Sequence, residues 1–371
     1  MEDDAGSSFK ALVVGTGFGC RIQVPALRAA GFEVVGLVGT DRERTAERAA
    51  ANAVSRAFTD LGEGITETGA VVVAISTPPA THCAVTLTAL RHGCHVLCEK
   101  PFAVNAAQAS EMLQAAQRAG VVHIVGHEFR FLPQRALVAR CVARGLIGEP
   151  RFFAHVHFNS YVAQFSQGMP DWWFSPEAAG GWLGASGSHV IDQVRHELGE
   201  IAAVSAALPR ISTNSCSVED SFIIRMRLTN GAEGTLQQTG GAFGSPAGLF
   251  RIAGTEGSIW IDNDKVFLAT AEGTHTLDIP QDLLLPQAVP STDPRQQTAE
   301  WQRLTSLELS AYTQLCKHLS AMIKGYLPPG PVSPATFEDG VRSMHVLEAV
   351  RESARQGGEL IEVMQESRFE H

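Results

Sequence analysis

The sequence predicts an α/β protein in which an N-terminal, doubly wound parallel sheet precedes an α+β domain with a large, mainly antiparallel open sheet. Three observations support this. Through the first 130 residues, almost continuously apolar runs alternate with helical stretches, as in parallel strands covered on both faces. Beyond about residue 130 the pattern changes, and from Glu219 onward strands follow one another with little helix between them. The length, 371 residues, is long for one compact domain and comfortable for two.

Taken in order, Lys10–Gly15 is a first strand, Ile22–Ala30 a helix, Glu33–Val38 a second strand and Arg42–Ala51 a second helix. Ala70–Ile75, Cys94–Cys98 and Val121–Val125 are further strands, separated by helices at Pro79–His92 and Ala106–Ala119. Right-handed crossovers then give a doubly wound sheet. Leu132–Arg144 is a helix, and Arg151–Tyr161 a strand that places His155, His157, Asn159 and Tyr161 on one face. Ser221–Leu228 and Glu233–Gly240 flank Thr229-Asn230-Gly231-Ala232, whose Asn-Gly pair predicts a type I′ hairpin. Leu249–Ala253, Ser258–Asp262 and Val266–Thr270 continue the sheet, Pro286–Thr298 is a surface loop, and a helix over Pro334–Gln356 closes the chain. The expected divisions are a disordered acidic leader at 1–8, a nucleotide-binding domain at 9–130, and a substrate and oligomerisation domain at 131–371.

Composition narrows the function. No apolar run approaches the roughly 20 residues of a membrane helix. A net charge of −10 without a basic patch argues against nucleic acid. Seven scattered cysteines suit reduced thiols in the cytoplasm, and Cys94 and Cys98 lack a second pair at metal-ligand spacing, so no metal site is expected.

Gly15-Thr16-Gly17-Phe18-Gly19 joins the first strand to the first helix. Glycines there permit a tight turn and close backbone approach to a pyrophosphate, and the helix start offers free N–H groups. This predicts a Rossmann dinucleotide site, although its third glycine position holds Cys20, with Gly19 one place early. The second strand ends in Gly39-Thr40 rather than a carboxylate, followed by Asp41, Arg42 and Arg44. Either NAD or NADP fits; the arginines lean towards the 2′-phosphate of NADP, with Asp41 still in reach of a ribose.

His95-Val96-Leu97-Cys98-Glu99-Lys100-Pro101-Phe102 ends a parallel strand at its carboxyl edge, where such sheets bind ligands, and Thr77-Pro78-Pro79 with His82 accompanies it. With Gly126-His127-Glu128-Phe129-Arg130-Phe131, Gly145-Leu146-Ile147-Gly148-Glu149-Pro150, Gly180-Gly181-Trp182 and Gly187-Ser188-His189-Val190-Ile191-Asp192, the chain resembles the Gfo/Idh/MocA oxidoreductases over nearly its whole length. The resemblance implies hydride transfer between a nicotinamide and a carbinol carbon of a sugar, cyclitol or related polyol. It maps the family's lysine onto Lys100, its histidine onto His189 and its cis peptide onto Lys100–Pro101. Thr77, Pro78, His82, Glu99 and Lys100 are then expected beside the cofactor.

The chemistry agrees with that mapping. Oxidising an alcohol removes a hydride from carbon and a proton from oxygen, so a cation must bind the oxygen and a base must reach it. Lys100 is the candidate cation. His189 is the candidate base, placed by a Ser188 N-cap in the first turn of a helix through Leu198, where the dipole keeps imidazole neutral. A capping or packing role is the alternative for His189.

The family carries Asp four residues before its histidine; here that place is Ala185. Asp192, one turn past His189, either orients its ring or stabilises the helix start. Trp172, Trp173 and Trp182 either stack on a sugar ring or pack in the core, while His127 and Tyr161 are further candidates for the substrate cleft. Ala185 also leaves open a reductase of a non-sugar carbonyl or conjugated substrate, and a sensor that binds cofactor without turnover. A homodimer or homotetramer is expected.

Overall fold

The computed structural model describes residues 8–164, 170–212, 218–297, 299–326 and 332–365. The predicted leader, apart from Ser8, lies outside them, as does Cys216.

The first half runs β1 (Lys10–Val14), α1 (Val24–Ala29), β2 (Glu33–Val38), α2 (Arg42–Ala51), β3 (Ala57–Phe58), α3 (Leu61–Thr68), β4 (Val72–Ile75), α4 (Pro79–Arg91), β5 (His95–Cys98), α5 (Ala106–Ala119) and β6 (His123–Val125). The six strands are parallel in the order β3-β2-β1-β4-β5-β6, which is the Rossmann arrangement. Leu12, Val13, Val72, Val73, Ala74, Ile75, Val96 and Leu97 are fully buried, as the unbroken apolar runs require. β3 and α3 fall between the predicted elements. Two residues of strand show no periodicity, but the Asp60 carboxylate accepts the Glu63 N–H at 2.7 Å, an N-cap readable as Asp-x-x-Glu.

The second half continues through α6 (Pro133–Ala143), β7 (Pro150–Phe158), α7 (Tyr161–Gln164), α8 (Ser188–Leu198), β8 (Ile201–Ala207), β9 (Ser221–Leu228), β10 (Glu233–Thr239), β11 (Ala247–Gly254), β12 (Gly257–Asp262), β13 (Lys265–Thr270), β14 (Gly273–Leu277), α9 (Ala299–Ile323), α10 (Phe337–Arg355) and β15 (Ile361–Glu362). Nine strands form one sheet in the order β14-β13-β12-β11-β7-β10-β9-β8-β15. Every neighbouring pair is antiparallel except β7 and β10. β7 ends at Phe158, so Asn159 and Tyr161 do not extend its face; Tyr161 instead opens α7.

The hairpin between β9 and β10 differs from the expected type I′ form. Gly231 has φ +84°, whereas Asn230 is not among the residues of positive φ. The Gly231 N–H reaches the Leu228 carbonyl at 3.0 Å, and Leu228 N–H reaches Ala232 O at 2.8 Å. This is a three-residue loop with glycine at its left-handed position. The Asn230 side chain is used elsewhere, donating to Leu198 O at 2.8 Å at the end of α8.

The chain folds as two compact units that do not follow a single cut. One comprises residues 1–99, 110–131 and 285–337; the other comprises 100–109, 132–284 and 338–371. The linear reading put 285–337 in the second domain, but side chains anchor this segment in the first unit. Asp293 is fully buried and paired with Arg48 of α2 at 3.0 Å, and Ser291 donates to Asn52 at 2.6 Å. Arg21 bonds Thr305 of α9 at 3.1 Å and pairs with Glu308 at 2.7 Å. The loop before α9 is therefore pinned at Ser291 and Asp293 rather than lying wholly on the surface.

Candidate active site

In the first unit, the turn after β1 meets the strand-end loop after β4. Gly15 has φ +116°, and a Cβ there would lie 2.8 Å from the Ser76 carbonyl. A Cβ on Gly19 would lie 2.7 Å from Val13 of β1, so Gly19 provides the close helix–strand packing that the motif assigns to its third glycine. Cys20 beside it is buried, and burial pushes its thiol up to about 12. Gly17 is exposed with open space where its Cβ would stand, while Thr16 and Phe18 are half-buried. The helix begins as a π turn over Gly19–Gln23 and continues as α1. An accessible Gly17 backbone between two tightly packed glycines fits a dinucleotide pyrophosphate.

The neighbouring candidates divide into those that face the cradle and those that support it. Thr77 and Pro78 are accessible. His82, expected at the cofactor, has no exposed surface, and its Nε2 lies 2.8 Å from the Thr77 carbonyl; it buttresses the loop from behind. Glu99 is also buried, its Oε1 accepting from the Tyr312 hydroxyl at 2.6 Å, while the Gln23 amide donates to that hydroxyl at 2.9 Å. Tyr312 lies on α9, which the sequence reading left unassigned although Leu309, Tyr312, Cys316 and Leu319 repeat at helical spacing. His127, after β6, is buried in this unit. Beyond β2, Asp41 caps α2 by accepting the Arg44 N–H at 2.8 Å, and Thr40, Arg42 and Arg44 are exposed.

In the second unit, the Lys100–Pro101 peptide is cis, as the resemblance implied. Lys100 Nζ donates to the Ala185 carbonyl at 3.2 Å. Ala185 lies in a second π turn, Leu183–Gly187, which runs without interruption into α8. π turns recur at functional sites, and among the described residues both π turns fall where the sequence placed its motifs.

This continuity corrects the reading of the α8 start. Ser188 is not an N-cap; its backbone is helical and its hydroxyl donates to Gly184 O at 2.8 Å. His189 and Asp192 therefore sit inside a continuous helix, and the dipole argument falls for both. Both are buried, and Asp192 is within electrostatic reach of Arg195.

Glu197, one turn further on, accepts from Gln193 at 2.9 Å, and burial raises its carboxyl to about 8. Between the ordinary 4.5 and about 8 the folded state holds a proton that the unfolded state has lost, so stability falls as pH rises through that window. Glu197→Gln should melt close to wild type at pH 5 and increasingly above it towards pH 8. Melting curves with a constant offset across this range would exclude that origin.

The aromatic candidates form a ladder. Tyr161 lies 6.2 Å from Trp182, Trp182 lies 5.9 Å from Trp173, and Trp173 lies 6.0 Å from Trp172. Trp182 is buried and packs beneath Gly240, whereas Tyr161, Trp172 and Trp173 keep partly open faces. His155, on β7, is buried against Phe250, and His157 is half-buried.

The described cysteines are free and buried. Among the described residues, no cluster of three or more metal-ligand side chains is present, and no helix is long and apolar enough to cross a membrane.

Comparison with known proteins agrees with this architecture. Residues 9–127 match the family described as "Oxidoreductase family, NAD-binding Rossmann fold", and residues 136–260 match the "GFO/IDH/MocA C-terminal domain". A 1,5-anhydro-D-fructose reductase of Ensifer adhaerens is 32% identical over 238 residues, covering 64% of this chain and 70% of the relative. A D-apiose dehydrogenase of Paraburkholderia graminis is 26% identical over 357 residues, covering 94% and 88%. The solved structure of a levoglucosan dehydrogenase in complex with NADH and levoglucosan superimposes with TM-score 0.81 at 25% identity, over 97% of this chain and 100% of that one. Together with the six-stranded Rossmann sheet and the nine-stranded open sheet, these matches establish that the chain belongs to the Gfo/Idh/MocA family of NAD-binding oxidoreductases.

Proposed function

We propose that the protein transfers a hydride between a nicotinamide cofactor and a carbinol or carbonyl carbon of a sugar, cyclitol or related polyol. The observation that carries this reading is Lys100, whose ammonium is held 3.2 Å from the carbonyl of Ala185, in the helical run that bears His189. Gly15, Thr16, Gly17, Phe18 and Gly19, with Thr77 and Pro78, would hold the dinucleotide. A bound nicotinamide supplies the hydride chemistry. Lys100 binds the reacting oxygen and stabilises alkoxide character, and His189 moves its proton. Tyr161, Trp172 and Trp173 offer ring faces to a sugar, with Asp192 as a further contact.

NADP is favoured over NAD because Asp41 is engaged as a helix cap while Thr40, Arg42 and Arg44 remain exposed at the end of β2. The second reading, a reductase of a non-sugar carbonyl or a sensor without turnover, is favoured by Ala185 alone. The protein is proposed to be cytoplasmic, on its reduced cysteines. It is also proposed to be a homodimer or homotetramer, because Phe152, Phe158, Ile223 and Leu249 lie exposed on one face of the nine-stranded sheet. A monomeric mass by light scattering would end the oligomer proposal.

The function is tested by absorbance at the reduced-nicotinamide band, with NAD and NADP, across levoglucosan, other anhydro sugars, glycosides and cyclitols. Steady turnover with one of them is the expected result and rejects the sensor. Tight cofactor binding without turnover across the panel would overturn the enzyme reading.

A further inference from the structure

Around Ala185 the structure holds a hydrogen-bonded relay of neutral groups. Ser186, the next residue, donates from its hydroxyl to Gln238 Oε1 of β10 at 2.8 Å. The Gln238 amide nitrogen lies 3.3 Å from His155 Nε2 on β7. An amide that accepts at Oε1 can only donate at Nε2, so His155 must accept at Nε2 and carry its proton on Nδ1. His155 is 6% exposed, and no described residue accepts from its Nδ1. A buried donor without an acceptor is costly to maintain, and ligand oxygens commonly complete such donors.

The ring is neutral. Burial disfavours its protonation, and so do Arg135 and His157, the charged and titratable groups that act on it. Phe250 closes its edge at 5.5 Å. One residue before Ser186, the Ala185 carbonyl accepts from the Lys100 ammonium. A carboxylate at 185 would accept from a substrate hydroxyl, and alanine does not. His155 donates from Nδ1, so a hydroxyl held at that nitrogen would find no acceptor for its own proton within the relay.

We propose that Ser186 and Gln238 are positioning residues that lock His155 as an Nδ1–H donor, so that the site selects a sugar oxygen able to accept but not to donate, namely a bridging ether or a carbonyl. This rests on the assignment of Lys100 and His189 to the substrate site made above. Gln238 thus becomes a specificity determinant that compensates for Ala185 by reversing the polarity of recognition. Gln238→Glu inverts the device. At a pH where the buried ring stays neutral, a carboxylate at 238 accepts from His155 Nε2–H, so the single ring proton leaves Nδ1 and Nδ1 becomes an acceptor.

The test uses the full chain with its reduced or oxidised cofactor. Imidazole ¹⁵N NMR reads the tautomer of His155, and kinetics compare levoglucosan, whose bridge only accepts, with methyl β-D-glucopyranoside, whose free 6-hydroxyl also donates. The wild type should show the Nδ1–H tautomer, a shift of that nitrogen on adding levoglucosan, and a higher kcat/KM for levoglucosan. In Gln238→Glu the ratio of the two kcat/KM values should fall by about tenfold or more, through KM. Ser186→Ala, which adds no charge, should lower the ratio less. An Nε2–H tautomer in the wild type, or an unchanged ratio in a variant whose tautomer has flipped, would overturn the proposal. Absence of turnover on both sugars would count against the proposed function, while the ¹⁵N shift on sugar addition would still decide the role of His155.

Discussion

Replacing Lys100 with methionine is expected to lower kcat by about 10²–10³-fold, the usual loss when a preorganised charge at the reacting oxygen is removed. Lys100 Nζ has a fixed place, 3.2 Å from the Ala185 carbonyl, so its charge is positioned before any substrate arrives. Methionine keeps the length and packing of the stem and deletes only the cation. The substitution leaves the Gly15–Gly19 turn unaltered, so titration of NADH fluorescence should show a Kd that changes far less than kcat. A variant that retains most of its turnover would remove Lys100 from the mechanism, and one that loses cofactor binding equally would assign it a structural role.

The second large effect is expected at Gly15. Gly15→Val places a β-branched side chain at φ +116° and drives its Cβ to within 2.8 Å of Ser76 backbone atoms. Backbone strain of this kind costs about 1–3 kcal/mol before the clash is counted. The loop after β4 must yield, and that loop carries Thr77 and Pro78. Dinucleotide affinity should therefore fall by about 100-fold or more, together with a lower thermal midpoint. Normal cofactor binding by Gly15→Val would show that the turn is not the pyrophosphate cradle. Gly17→Ala is the matched comparison, since the space around Gly17 is open and its fold should be unaffected. Any loss of affinity there reports backbone approach to the ligand rather than folding.

The two units differed in how much could be read from residues alone. The unbroken apolar runs at Leu12–Val14 and Val72–Ile75 specify parallel strands buried on both faces; five of the six strands were legible this way, whereas the two-residue β3 and the strand order came only with the structure. Gly19 substituting for the glycine expected at 20 was legible as a composition, but its contact with Val13 required the packed strand. Glu99 directly follows β5 and His82 lies in the first turn of α4, yet neither position reveals which way a side chain turns. Their inward orientation depends on the Thr77 carbonyl and on Tyr312, whose helix is distant in sequence.

The start of α8 shows the limit most clearly. Ser188 followed by an apolar-periodic stretch is a sound N-cap signature, and local propensity contains nothing against it. The glycines and alanine of Leu183–Gly187 allow an upstream π turn to continue the helix, which cancels both the cap and the dipole argument for His189. The Asn230-Gly231 hairpin follows the same logic. The dipeptide specified a tight turn, but its type was set by the loop length and by Asn230 bonding Leu198.

The sequence by itself determined the Rossmann sheet, the glycine turn, the Lys100 strand end and the absence of a carboxylate at 185, because each is encoded by neighbouring residues through periodicity, turn chemistry or a short motif. Tertiary structure alone decided that α9 joins the first unit, that Glu99 and His82 are supports, and that Ser186, Gln238 and His155 form one relay. The bonds of Glu99 and of the relay join residues 52–213 positions apart, and they form only once the α9 packing or the nine-stranded sheet is in place. Nothing local in the chain specifies such partners, because their geometry exists only after the core has closed.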